Sequence, residues 1–210
     1  MDPHFLTLKT SHSAALWKGA AAAARATVLA AGDAQMVKPL ENGTTHSGLV
    51  ILRFAFASDL DDFWNSAHAK DLAAADANLV ALACTGLPYE GWPGNFVPTI
   101  ATVDVPASEA PRTFMVIEGT GTDQERMDAY RDQILPMMRE RGSYYVAFEL
   151  GGNVRVLKGR WDEGIFAISR WPSKALAEDF WYSDKYQNEC IPIRTGVGRF
   201  DVQIIEGMAG

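Results

Sequence analysis

The chain has 210 residues, 48% hydrophobic and 21% charged, with a formal net charge of −7. That size suits one large domain or two small ones. Neither half is basic, so DNA or RNA is not an expected partner, and no run of eighteen apolar residues is present to span a membrane. The Ala-rich stretch 14–31 contains Lys18 and Arg25 and makes a poor signal peptide. The two cysteines, Cys84 and Cys190, lack any metal-ligand spacing, and no disulfide follows from them. A soluble cytoplasmic protein is the expectation.

The first half reads as strand, helix, strand, strand, helix, strand. Phe5 to Thr10 alternates as a strand. Ser13 to Ala31 is a helix on propensity, stopped by Gly32. Ala34 to Leu40 is a short strand at an edge, because Pro39 cannot donate to a ladder. Gly48 to Phe56 is a strong strand. Ser58 or Asp59 caps a helix running to about Ala75, and Leu79 to Thr85 is the fourth strand.

The second half repeats this order. Thr113 to Glu118 is a strand. Thr122-Asp-Gln-Glu125 fits a capping box for a helix reaching Arg141, with a disturbance expected at Pro136. Ser143 to Leu150 and Val154 to Trp161 form a strand pair around the tight turn Gly151-Gly152-Asn153. Gly164 to Trp171 is a strand, Ser173 caps the second helix, and Phe200 to Glu206 closes the unit.

A repeated word ties the halves together. Arg53-Phe54 is followed by Asp62-Phe63-Trp64-Asn65-Ser66, and Arg170-Trp171 at the same spacing by Asp179-Phe180-Trp181-Tyr182-Ser183. A repeat near half the chain length means a duplicated domain. The expected fold is α+β: two tandem ferredoxin-like βαββαβ units whose antiparallel sheets bury their open faces on each other, as in a dimeric α+β barrel. The units are residues 1–86 and 112–210. Residues 87–111 join them as a linker, an extra strand or a lid, since Tyr89, Trp92 and Phe96 are too apolar for a free connection. A homodimer is expected too, because paired sheets leave edges to cover.

The second half resembles a bacterial family of unknown function in the dimeric α+β barrel superfamily, the DUF1330 group. The resemblance rests on Gly151-Gly152-Asn153 through Trp161, then Arg170-Trp171-Pro172-Ser173, Phe180-Trp181-Tyr182-Ser183-Asp184-Lys185-Tyr186-Gln187 and Pro192-Ile193-Arg194. It covers roughly residues 113–207 and implies a fold and a pocket near the second helix, without a reaction. The superfamily includes cofactor-free monooxygenases, polyketide cyclases, lactone isomerases and haem enzymes. In the cyclase-like members this helix carries a His-Pro-x-His motif. Its last position aligns with Ala69 in the first half and Tyr186 in the second, one residue off His68.

No Walker loop, nucleophile elbow or zinc-protease motif is present, and Gly119-Thr120-Gly121 lacks the last glycine of a dinucleotide fingerprint. No cofactor and no metal are therefore expected. The acid–base candidates are His68, one helical turn after Trp64, and Tyr186; His4, His12 and His46 read as surface or turn residues. Arg53 and Arg170 lie late in apolar strands. Each could pair with a carboxylate such as Glu118, Glu149, Asp62 or Asp179, or anchor an anionic or phenolic substrate. Glu118 and Lys9 occupy matching places on the two first strands, where either could enter the barrel. Trp64, Trp181, Tyr145 and Trp92 are the candidate pocket walls, against a plain packing role. The leading reading is a cofactor-independent isomerase, cyclase or lyase acting on a small aromatic or polyketide-like molecule. Its rivals are a non-catalytic binding or structural barrel and an oxygen- or haem-dependent monooxygenase.

Overall fold

The computed structural model describes residues 2–42, 47–87, 111–150 and 153–208. Its first half contains β1 (His4–Thr10), α1 (Ala14–Ala22), β2 (Ala26–Gly32), β3 (Val37–Glu41), β4 (Gly48–Phe54), α2 (Ala57–Asn65), α3 (Ala67–Ala75) and β5 (Val80–Thr85). The second contains β6 (Thr113–Gly119), α4 (Gln124–Glu140), β7 (Tyr144–Leu150), β8 (Arg155–Lys158), β9 (Ile165–Trp171), α5 (Lys174–Tyr182), α6 (Ile191–Arg194) and β10 (Phe200–Glu206). Trp92 and His46, like the Gly151-Gly152 turn, lie outside the described residues.

Two five-stranded antiparallel sheets form, with orders β2-β4-β1-β5-β8 and β3-β10-β6-β9-β7. Each is the ferredoxin-like order with one strand added, and the added strand comes from the other half. β3 pairs with β10, and β8 pairs with β5. The expected hairpin between β7 and β8 is therefore corrected: the chain leaves one sheet after β7 and joins the other. β2 and β3 make the same crossing in the first half. The outermost strands of one sheet are thus continuous in sequence with those of the other, which joins the sheets along both margins.

Three apolar layers follow from strand alternation. Leu6, Leu8, Val50, Leu52, Ala81 and Ala83 face α1 to α3. Phe5, Leu49, Ile51 and Leu82 meet Phe114, Val116, Phe166, Ile168 and Ile205 between the sheets. Met115, Ala167, Val202 and Ile204 face α4 and α5.

The helix expected over 13–31 is only α1; residues 26–32 are strand β2. Alanine favours a helix in isolation, yet β2 closes the open edge of β4, and tertiary pairing overrides propensity. The long second helix of the first half breaks at Ser66, whose hydroxyl accepts from the Ala69 N–H and caps α3. α4 is capped by Asp123 rather than Thr122. The Asp123 carboxylate accepts from the Arg126 N–H, while the Thr122 hydroxyl donates to the Val197 carbonyl.

The duplication is visible residue by residue. Arg53 and Arg170 each stand next to last in a seven-residue strand, and Trp64 and Trp181 each next to last in a nine-residue helix. Among the described residues, no helix is long and apolar enough to cross a membrane.

Candidate functional site

In the second half a cavity of about 320 Å³ lies between the sheet and the helices. That is near the lower end of the range of roughly 300–1,000 Å³ found for small-molecule sites. Its floor takes alternate residues of β9, Ile165, Ala167, Ser169 and Trp171, with Met115 and Ile117 of β6 and Tyr145 of β7. α4 roofs it with Met127, Tyr130, Ile134, Leu135 and Met138, a helical spacing that turns one apolar face to the sheet. Phe180, Trp181, Tyr186 and Arg194 form a wall. Tyr186 opens a π-helical turn, Tyr186–Cys190, which leads directly into α6 and Arg194. Such turns recur at functional sites.

The polar groups of this apolar space converge. The hydroxyls of Tyr130 and Tyr186 are hydrogen-bonded at 2.7 Å. The Tyr186 ring packs against Phe180 at 4.6 Å and Trp181 at 5.0 Å between centroids. Arg194 is 4% exposed and lies over the rings of Tyr130 and Phe200. Its guanidinium donates through both Nη atoms to the Glu41 carboxylate, the Nη1 bond being 2.9 Å. Glu41 belongs to β3, so the first half supplies the counter-ion of an arginine in the second half's cavity. At the mouth, Arg131 donates to Asp128. Tyr145 packs edge-on against Phe148, and its hydroxyl has no hydrogen bond among the described residues.

Burial pushes the Tyr186 phenol well above its ordinary pKa, and the neighbouring Tyr130 adds to this against the opposing effect of Arg194. Burial also raises Tyr130 and Tyr145. Burial works against the charge of Arg194, but the bonds to Glu41 together with the neighbouring Tyr130 and Tyr186 outweigh it and hold the guanidinium protonated. The site therefore presents neutral phenols and a neutralised arginine: groups that donate hydrogen bonds and do not take protons at neutral pH.

Of the residues picked from sequence, Tyr186, Trp181 and Tyr145 line this cavity. The others lie elsewhere. His68 is exposed on α3, while its neighbour Ala69 is buried. Trp64 is buried and stacked on Trp17 at 6.3 Å, so α1 occupies the face that stays open beside Trp181. Arg53 is exposed, and Arg170 lies over Phe114. Both sit at strand positions that alternate away from the helices, which corrects the expectation of either at the pocket base. Glu118 is buried between the sheets, accepting from Lys9 and from the Trp161 indole. Asp179, a candidate partner for the repeat arginines, accepts from Arg141 instead.

Arg194, Tyr130 and Glu41 were not singled out by sequence. Arg194 stands in the Pro192-Ile193-Arg194 word, and Tyr130 on the apolar face of α4. Nothing local marks Glu41 as its partner, because 153 residues separate the two.

This architecture, two joined antiparallel sheets with helices on the outer faces and a cavity beneath them, is that of a dimeric α+β barrel. Residues 112–208 match the family described as "Domain of unknown function (DUF1330)". Solved structures of the same fold include a "Putative monooxygenase" from Fusobacterium nucleatum, 9% identical, covering 100% of this chain and 96% of that one with a TM-score of 0.51. Another is a "Dye-decolorizing protein" from V. cholerae, 10% identical, covering 98% and 93% with a TM-score of 0.51. At these identities the likeness concerns the fold alone. No curated protein sequence matches the chain.

Proposed function

We propose that this protein is a cofactor-independent enzyme acting on a small aromatic or polyketide-like molecule held in the second-half cavity. The observation that carries the reading is the Tyr130–Tyr186 hydroxyl pair, backed by Arg194, in an otherwise apolar space. A carbonyl or phenolic oxygen placed against this pair would receive a hydrogen bond that strengthens as negative charge develops on it. In a C–C lyase step on a neutral β-hydroxy ketone, the electrons of the breaking bond flow into the ketone oxygen, where Tyr186 supplies the stabilising donor. Water takes the hydroxyl proton and returns one to the enolate carbon. Isomerisation or cyclisation would use the same donor but also needs a base.

One observation favours a second reading, a non-catalytic binding protein. Among the described residues, no histidine lines the cavity, and its one lining carboxylate, Asp128, is bonded to Arg131 and Gln124. A haem fits less well, because the described lining offers no histidine or cysteine as axial ligand and its tyrosines are held neutral. The reading includes a homodimer, since the outermost strands β2, β8, β3 and β7 present edges to other chains. Light scattering tests that part, and a monomeric mass contradicts it.

The test of function is a thermal-shift screen of aromatic ketones and phenolic acids, followed by turnover assays on any compound that raises the melting temperature. Conversion lost in Tyr186→Phe supports the enzyme. Binding without conversion by any such compound supports the second reading.

A further inference from the structure

The charges around the cavity are already paired. Arg194, the buried cation of the wall, gives both Nη atoms to Glu41, and Arg131 at the mouth is bonded to Asp128. The donors left to meet a ligand are the Tyr145 hydroxyl, the Tyr130–Tyr186 pair and the buried Arg194 Nε–H. That Nε–H has no partner among the described residues and belongs to a guanidinium whose charge Glu41 already balances. A hydrogen-bonded pair of hydroxyls uses one proton internally and leaves one to donate. An uncharged ligand oxygen is well served here. A carboxylate would give up its hydration for an arginine whose charge another carboxylate has neutralised, and burying an unpaired charge is costly.

We propose that Glu41, delivered to the second-half cavity by the exchanged strand β3, sets the ligand's charge class, so that the site takes neutral oxygen-bearing aromatics and rejects aromatic carboxylates. The proposal rests on the cavity being the ligand site. It assigns a specificity role to a first-half residue that, among the cavity's described lining, touches the space only through Arg194.

A matched pair of probes tests it. 2-Acetylnaphthalene and 2-naphthoate have nearly the same shape and differ in charge. Isothermal titration of the full chain should show the ketone binding at least about tenfold more tightly. In Glu41→Gln, where Arg194 loses its counter-charge, the naphthoate should gain about tenfold or more relative to the ketone. Equal or tighter naphthoate binding by the unaltered chain overturns the proposal while leaving the cavity as the ligand site. A folded Glu41→Gln protein with unchanged selectivity overturns the role of Glu41. Binding of neither probe removes the proposal and the cavity reading together. If Glu41→Gln does not fold, the comparison on the unaltered chain still decides the charge class.

Discussion

Lys9 and Glu118 are bonded to each other across the sheet interface, the ammonium donating to both carboxylate oxygens at 2.9 and 2.7 Å. They hold matching positions on the two pseudo-equivalent strands β1 and β6, next to last in each. The Trp161 indole also donates to Glu118 at 2.8 Å. Duplication of one unit places equivalent residues near each other at the approximate twofold axis; opposite charges there turn a self-contact into a clamp between the halves. In an unduplicated pair of identical units, the same place would bring like charges together.

Removing one partner should therefore cost more than removing both. Glu118→Ala leaves the Trp161 donor and Lys9 without their acceptor, and a loss on the order of 2 kcal/mol is expected. A Lys9→Met/Glu118→Met double variant should recover much of it. Chemical denaturation of the single and double variants measures the coupling. Ligand binding should be unaffected in all of them, because neither residue lines the cavity.

Tyr186→Phe removes the donor at the centre of the site and keeps the ring. Turnover of a substrate should fall by about a hundredfold, the usual weight of one hydrogen-bond donor to a developing oxyanion, while the melting temperature changes little. His68→Ala, Arg53→Lys and Arg170→Lys should retain full activity, since those side chains lie outside the cavity. Steady-state kinetics on the four purified variants check this, and a large loss in His68→Ala would move the site to the first half.

What the sequence disclosed and what it hid can be traced to particular residues. The Arg53/Arg170 and Trp64/Trp181 repeat named the duplication correctly, because local elements carry their own signatures. Alternation along β9 already separates Arg170 from the pocket face of Ala167, Ser169 and Trp171, and the same parity removes Arg53. The strand exchange was not legible. A period of two says which side of a strand is buried, not which edge it pairs with, so β8 was read beside β7. Arg194 was hidden for a related reason: it follows a π-helical turn in a four-residue helix, where no periodic pattern marks a buried face.

Trp17 gives the first half its closed core. It is 1% exposed and stacked on Trp64 at an interplanar angle of 7°. Trp17→Ala should cost about 3–5 kcal/mol by opening a cavity, yet leave ligand affinity in the second half unchanged. Denaturation and titration on the same variant check the two effects separately.

Asp76 gives a pH signature. Burial alone would raise its carboxyl pKa, but hydrogen bonds from Ser11, Thr10 and the backbone outweigh this and hold it at about 2. A depressed folded-state pKa contributes stability that is present above the ordinary carboxyl value and lost as pH falls through the folded one. Between about pH 4 and pH 2, stability should fall by on the order of 2 kcal/mol from this residue. Asp76→Asn should flatten that part of the curve, as followed by denaturation at stepped pH.

The central claim is that function resides in the second-half cavity, at the Tyr130–Tyr186 pair beside Arg194. A crystal structure of the chain with 2-acetylnaphthalene bound tests it most directly. The ring should lie between β9 and α4 against Trp181, with the ketone oxygen within hydrogen-bonding distance of Tyr186 or Tyr145. A ligand seated beside Trp64 and His68 in the first half, or a second-half cavity left empty at saturating ligand, would contradict it.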